Sequence, residues 1–554
     1  MPKFEISKSD LEKLVGKKFT IKDLEDTLLF AKTELDGQDG DTLKVDVKDT
    51  NRPDLWSVEG IARELKGHLK IEEGLPKYAV KKSAWKIEVE SGKVQPLTTA
   101  AVVRNVKLDK NVLEQMIQLQ EKISMTFGRN RKAVSLGAYD LSKIKFPLKY
   151  TTMHADKIRF KPLGFSETLS AKEILEKHPK GRQYGHLLGE TKDYPVWIDA
   201  NGRILSMPPI INSEDFGSVT TETTDVFIEC TGDHPIQLNT AINVLATALA
   251  ERAGQIESVE IINKNKKILT PDLTPKKSHV DPDYCRKILG LEIPDKEMIK
   301  LLKEARYDAK LDKKKIRVEY PAYRNDIMHE RDIVEDVAIS FGYNDIEPET
   351  PKIATIGASH KLEEFTNIIR EICVGLGLQE VLTFTLTNKD NMFRKMNLEE
   401  GELVEIENPM SSNWSAFRDK LLPNMLEFLS LNKNQDYPQQ IFEVGDAILL
   451  DLKDKDTGVT NKRKLCVALT NTQIGYEDAS SHLSALLLAL GNKIVLKKID
   501  HNSFITGRTA EILVQNKKIG VIGEIHPQVL NNWNLEKPVV VFEIDLEEIL
   551  GLIK

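Results

Sequence analysis

The sequence predicts a multidomain α+β protein, and three observations carry this. The chain has 554 residues, more than one core serves at about 100–200 residues per domain. Helical stripes of apolar residues and strand-like alternation trade places along its length. Polar stretches with proline or clustered lysine separate the blocks. The expected divisions are residues 1–80, 86–265, 274–350 and 355–554.

The first block reads as a compact α/β domain. Leu11, Leu14 and Val15 end at Gly16, a short helix with a glycine stop. Thr20 precedes IKDLEDTLLF with Asp23 three residues on, a capping-box variant. Leu43, Val45 and Val47 alternate as in a strand. Asn51-Arg52-Pro53-Asp54 reads as a turn, and Ser57 caps a helix whose Val58, Ile61, Ala62, Leu65 and Leu69 form one stripe. A Lys-rich stretch then gives way to strand near Trp85. The second block is α+β, with strands such as WKIEVE, AAVVRNV and VEIIN and a long helix over 235–252. NKNKKILTPDLTPKK reads as a linker. In the third block DPDYCRKILG and DKEMIKLLKEA are helices, IRVEYPAY is a strand and a further helix follows. Strand, Arg324-Asn325-Asp326, helix echoes strand, Arg52-Pro53-Asp54, helix in the first block. The last block alternates helices such as FTNIIREICVGLG with strands whose apolar runs suit a mostly buried sheet.

Composition narrows the function classes. The formal net charge is −7, so no global basic field draws in nucleic acid and any RNA contact must be local or made through a partner. Cys230, Cys285, Cys373 and Cys466 are far apart in sequence, which argues against structural zinc and a disulfide framework. A reduced, cytoplasmic setting is expected. The start MPKFEISKSDLEKL lacks an apolar signal core, and no run of about 18 apolar residues suggests a membrane span.

The most informative segment is YRNDIMHERDIVEDVAISFG. Asp332, Glu335 and Asp336 fall on one face of a short helix, with Asp326 just before it, and Ile333, Val334, Val337, Ala338 and Phe341 fill the other face. Two readings stand. A solvated acidic face is the commoner use of such a charge run. A hard divalent cation among the carboxylates is the other, and oxygen ligands without His or Cys favour Mg²⁺ over zinc.

Across nearly the whole chain the sequence resembles the beta subunits of phenylalanine–tRNA ligases of the archaeal and eukaryotic type. NRPDLWSVEGIARELKG resembles their first domain. GRNRKAVSLGAYDLSKIK and DANGRILSMPPIINSEDFGSVTTETTDVFIECTG resemble their editing domain. YRNDIMHERDIVEDVAISFGY resembles their acidic-helix module. NPMSSNWSAFRDKLLPNMLEFLSLNKNQ, IGVIGEIHPQVL and VFEIDL resemble their catalytic-like domain.

The resemblance implies a small winged-helix-like module in the third block. It implies a class II synthetase-like antiparallel-sheet domain, without activity, in the fourth. It implies an assembly of two alpha and two beta subunits that uses ATP to attach phenylalanine to its tRNA, the alpha subunit holding that site. Mg²⁺ at the subunit boundary would be held by Asp326, Asp332, Glu335 and Asp336. Tyrosine mischarged on the tRNA would be hydrolysed in the second block, with Ser206 and Asn212 at the substrate. Glu214 and Glu229 are further candidates for placing water. Arg129, Arg131 and Lys132 would meet tRNA phosphates. The other reading of the chain is an assembly and tRNA-docking scaffold with an inactive editing domain. For the last block, Phe417-Arg418-Asp419-Lys420 departs from the F-R-x-E element that activates ATP, and Arg418 is expected to be structural.

Overall fold

The computed structural model describes residues 2–90, 92–263 and 266–553. It forms two compact units, residues 1–349 and 350–554.

The first unit opens with the strand Lys3–Ser7, the helices Lys8–Val15 and Ile21–Leu28, the strands Thr33–Asp39 and Thr42–Val47, and the helix Val58–His68. The strand Thr42–Val47 lies between the other two, antiparallel to both. Each boundary has a local cause. Ser7 accepts from the Asp10 amide, Gly16 closes the first helix at φ 83°, and Thr20 accepts from the Asp23 amide. Ser57 receives the Gly60 amide. Such side chains satisfy N–H groups that a helix start leaves without partners.

The same arrangement returns at a nearly constant offset. It comprises the strand Lys276–Val280, helices Pro282–Leu289 and Asp295–Glu304, strands Asp308–Asp312 and Lys315–Tyr320, and the helix Glu330–Phe341. The sheet order is the same, and Gly290 closes its first helix at φ 67° as Gly16 does. The echo at Arg52 and Arg324 is one part of this repeat. The repeat also corrects the linker expectation for NKNKKILTPDLTPKK, most of which is sheet. Lys266–Thr270 pairs with Gln255–Asn263, and Lys276–Val280 begins the second module. Its described lysines fall in consecutive pairs on edge strands, Lys266-Lys267 and Lys276-Lys277, a pattern that resembles a solvated linker in sequence.

Between the two modules lies a ten-stranded sheet. The strand Gln255–Asn263 runs parallel to Val80–Glu90 and antiparallel to Leu97–Arg104. Beyond Leu97–Arg104 come Val226–Gly232 and then Val134–Asp140. On the other side Val80–Glu90 is followed by Leu148–His154, Asp193–Ile198, Ile204–Met207 and Ile211–Asn212. The sheet curls, because Tyr139 at one end touches Ser206 near the other. The curl encloses Tyr139, Tyr150, Trp197 and Phe227. The apolar helix Pro235–Glu251 packs outside, on Leu97–Arg104 and Val226–Gly232.

The second unit is built on a seven-stranded sheet. Gln379–Glu380 is parallel to Gln439–Leu450, and every other pairing is antiparallel through Val459–Thr470, Val539–Asp545, Lys517–Ile525, Phe504–Val514 and Ile494–Lys498. The helices Lys361–Gly375 and Tyr476–Ala489 contribute to one apolar cluster, and Leu422–Leu431 and Pro527–Asn532 to another. All four cysteines are buried and free. Among the described residues no helix is long and apolar enough to cross a membrane.

The two repeated modules touch at Gly67. A Cβ there would fall 2.0 Å from the Glu304 carbonyl oxygen and 2.7 Å from Arg306 Cδ. Backbone oxygen cannot step aside cheaply. Gly67→Ala is therefore expected to destabilise the first unit by about 1–3 kcal/mol, read as a lower urea midpoint. An unchanged midpoint would show that the modules separate easily.

Candidate functional site

The candidate site is a pocket at the seam where the curled sheet meets itself. Glu229 sits on Val226–Gly232 directly opposite Gly137. A Cβ on Gly137 would lie 2.3 Å from Glu229 Oε1 and 3.0 Å from the Tyr139 ring, so the glycine admits both neighbours. From the other end of the sheet a hairpin places Ser206 opposite Asn212. The Tyr139 hydroxyl then lies 2.8 Å from Ser206 Oγ, 3.2 Å from Glu229 Oε1 and 3.4 Å from Asn212 Oδ1.

Proton counting defines the electrostatics. A tyrosine hydroxyl has one proton to donate, and here it faces three oxygens. At least one neighbour must donate back for more than one bond to form. Burial pushes the Glu229 carboxyl up to about 8, against the opposing hydrogen bond with Tyr139. Glu229 is therefore neutral at pH 7 and carries its own proton. Its Oε2 has no protein partner. Together with Asn212, Ser135, Pro208 and Pro209 it lines a cavity of about 120 Å³. A cavity of about 150 Å³ holds a benzene ring, so an aromatic ring is the right scale of guest.

Arg131 supports one wall. Its Nη1 donates to the carbonyls of Pro209 and Ile210 at 3.1 and 2.9 Å, and its Nη2 meets Glu121 at 2.8 Å. The guanidinium also lies 4.5 Å from the Tyr184 ring centroid. This corrects the expectation of Arg131 as a phosphate contact, since it is spent inside the protein. The cause is backbone curvature. Arg129, Asn130 and Arg131 all have left-handed φ values of 51°, 53° and 66°, following a π-helical turn at Ile123–Phe127. Arg129 and Lys132 of the same run stay exposed. Glu214 is also turned elsewhere, accepting the Gly164 amide at 2.7 Å. The lining, among the described residues, contains no histidine or cysteine. It can hold a ring and orient a polar group or water, and it offers no nucleophile–base pair of the Ser–His or Cys–His kind.

The acidic cluster is arranged differently from the metal-site expectation. Arg324, 2% exposed, donates from Nε to Asp326 Oδ1 at 2.8 Å and from Nη2 to Asp336 Oδ2 at 2.8 Å. The Tyr307 hydroxyl donates to the same Asp336 oxygen at 2.5 Å. Asp332 accepts the Met328 and His329 amides at 2.8 and 2.6 Å as part of a helix cap. Glu335 reaches outward to Lys32 Nζ at 3.2 Å. Among the described residues no three of His, Cys, Asp or Glu gather as a ligand set. Asp326, Asp332, Glu335 and Asp336 thus do not fit a shared Mg²⁺: two neutralise a buried arginine, one caps a helix and one points to a lysine. The same fork stands in the first module, where Arg52 meets Asp54 through two bonds of 2.9 Å and Glu64 at 3.1 Å. Arg52 Nε also lies 3.9 Å from Asp326 Oδ1.

Two expected outcomes follow from these charges. Burial raises the Asp326 carboxyl, but Arg324 and then Arg52 outweigh it and hold it to about 2. Its stabilising contribution is present above the ordinary 3.8 and is lost as pH falls toward about 2. Arg324→Met removes the hydrogen-bonded cation from both buried carboxylates, leaving Asp326 only the more distant Arg52, and is expected to cost about 3–5 kcal/mol in urea unfolding. Adding Asp326→Asn and Asp336→Asn should recover much of that loss, and no recovery would refute the fork as its cause. Glu229 has the opposite sign. Its contribution is complete below the ordinary 4.5 and is lost as pH rises through about 8, at up to about 1.4 kcal/mol per pH unit. Glu229→Gln should flatten the stability profile across that window, and an unchanged slope would show that Glu229 is ionised when folded.

Comparison with known proteins agrees with this layout. Residues 91–260 match the B3/4 domain model, 278–343 the tRNA synthetase B5 domain model, and 346–546 the phenylalanyl tRNA synthetase beta chain CLM domain model. The phenylalanine–tRNA ligase beta subunit of Pyrococcus horikoshii is 50% identical over 552 residues, covering 99% of both chains. That of Methanocaldococcus jannaschii is 39% identical over 551 residues, covering 99% of this chain and 100% of its own. A crystal structure of an N-terminal fragment of the Pyrococcus horikoshii phenylalanyl-tRNA synthetase beta subunit, 50% identical, covers 62% of this chain and 100% of its own at a TM-score of 0.60. The chain belongs to the family of phenylalanine–tRNA ligase beta subunits.

Proposed function

We propose that this chain edits and assembles within a phenylalanine–tRNA ligase of two alpha and two beta subunits. The alpha partner attaches phenylalanine to its tRNA with ATP, in the cytoplasm, and this chain hydrolyses tyrosine mischarged on that tRNA. The observation that carries the reading is the seam pocket. It is of the scale of one aromatic ring, and Glu229 and Asn212 contribute polar side chains to its lining.

The chemistry favours such a pocket. A synthetic site shaped for phenylalanine rejects an added hydroxyl only about a hundredfold in a comparable case. A second site that requires the hydroxyl discriminates in the other direction, because a guest without it leaves buried polar groups unpaired. A tyrosine hydroxyl can accept from the protonated Glu229 and donate to Asn212 Oδ1. Ser206 and Tyr139 hold those two groups in place. Arg131 fixes the Pro209–Ile210 wall. With no histidine or cysteine nucleophile in the lining, hydrolysis proceeds by water positioned on the ester, assisted by the tRNA terminal hydroxyl. Exposed Arg129 and Lys132 meet tRNA phosphates.

The second unit is read as a class II synthetase-type core without activity, and the repeated module at 276–342 as winged-helix-like. Arg418 supports the first point. It is 2% exposed, donates to Thr383 Oγ1 at 2.7 Å and the Asp446 carbonyl at 3.0 Å, and pairs by charge with Glu443 at 2.8 Å. A guanidinium so buried and paired is committed to the protein's own groups and is not presented to a nucleotide phosphate. No step is assigned to Mg²⁺ at the acidic cluster.

The test uses the purified complex and phenylalanine tRNA carrying tyrosine. Asn212→Ala and Ser206→Ala should each slow its deacylation by roughly 5- to 100-fold, the equivalent of one unpaired buried polar group, with phenylalanine charging retained. Deacylation at the wild-type rate in both variants would place editing elsewhere.

A further inference from the structure

The seam pocket makes no use of the Lys-rich stretch that follows the first module. There Lys77, Lys81, Lys82 and Lys86 alternate with Tyr78 and Trp85. The segment leads into the strand Val80–Glu90, and all four lysines are exposed. A partly exposed indole among cations suits a polyanion that also carries flat rings.

The geometry sharpens this. Trp85 lines an open cleft of about 460 Å³ together with Lys82, Lys86, Arg104, Phe146 and Pro147. Its ring packs on Phe146, centroids 4.6 Å apart, and the Arg104 guanidinium lies 5.4 Å from its centroid. Trp85 Nε1 donates to Glu257 Oε2 at 2.8 Å, which clamps the indole by its edge. The partly exposed ring is thus held rigid before any guest arrives, so little rotamer freedom is lost on stacking. Glu257 is the one carboxylate in the lining and is matched by Arg104 at 3.1 Å. Lys82 and Lys86 therefore leave the cleft cationic, in a chain whose net charge is −7. The strand is irregular here, four residues from Lys81 to Trp85 spanning two of its neighbour, and Lys82 and Lys86 line the cleft on either side of Trp85 in sequence. An acidic peptide would answer the charge and leave the ring unused. A nucleotide answers both.

We propose that the Trp85–Phe146 cleft binds an unpaired RNA nucleotide, its base stacked on Trp85 and its flanking phosphates on Lys82 and Lys86. The cleft shares no lining residue with the seam pocket, so the proposal does not rest on the hydrolysis reading.

The full-length chain with its partner subunit is titrated against fluorescein-labelled oligouridylate, and separately against a phenylalanine tRNA transcript, by anisotropy across a potassium chloride series. Trp85→Leu should weaken oligouridylate binding about tenfold. The Lys82→Ala, Lys86→Ala double variant should lower the slope of log affinity against log salt by about 0.7 per lysine. Parallel loss for the transcript identifies the tRNA as the source of the nucleotide, and loss confined to oligouridylate identifies another single-stranded RNA. The proposal is overturned if wild type does not bind oligouridylate. It is also overturned if the lysine variant keeps the wild-type affinity and salt slope, a result that stands even where Trp85→Leu fails to fold. It falls too if the variants lose a protein partner while RNA binding is intact.

Discussion

Two buried guanidinium groups, Arg52 and Arg324, set the conditions for the whole first unit. Each has left water and must keep its carboxylates within hydrogen-bond reach, because a buried charge without a partner costs several kcal/mol. Asp54 and Glu64 satisfy the first, and Asp326 and Asp336 the second. The modules that carry these forks flank the curled sheet in sequence and meet each other in space. Both ends of the intervening domain are thereby anchored. Arg252 adds a third tie, from the end of the helix Pro235–Glu251 to Asp10 and Glu59 of the first module.

One chain uses buried carboxyl groups in two opposite ways. Asp326 faces arginines and is held ionised, whereas Glu229 faces hydroxyls and is held neutral. The difference is the presence of a cation within reach, since burial by itself raises both. A charged Asp serves architecture here. A neutral Glu can donate a proton in hydrogen bonding, which suits recognition of a small polar group.

The sequence reading recovered the elements with strong local signals. Gly16, Thr20 and Ser57 cap helices by short-range chemistry that needs no tertiary partner. The helix at 235–252 is long and apolar enough to stand out, and Ser206 and Asn212 face each other on one hairpin, with Asn212 in the pocket lining. Tyr139 was not legible, because nothing local says that the strand holding it closes a curl from the far end of the sheet. Gly137 was the available sign, a glycine inside a strand where another group approaches closely. The acidic helix misled for a related reason. A helical wheel shows which carboxylates share a face, but the cation that claims two of them, Arg324, lies in the preceding turn and is buried. Arg131 looked like surface charge because its left-handed backbone, which turns the side chain inward, leaves no mark in composition.

The seam of the curled sheet has a mechanical side. Elsewhere in that sheet adjoining strands are stitched by backbone ladders, which resist separation along their length. Across the seam the connection is made by side chains, through Tyr139 to Ser206 and Asn212. A guest wedged there displaces rotatable groups and breaks no ladder. The softest line of the cylinder therefore coincides with its opening, and strain from admitting a ring is confined to a few hydroxyl and carboxyl groups while the surrounding wall keeps its shape.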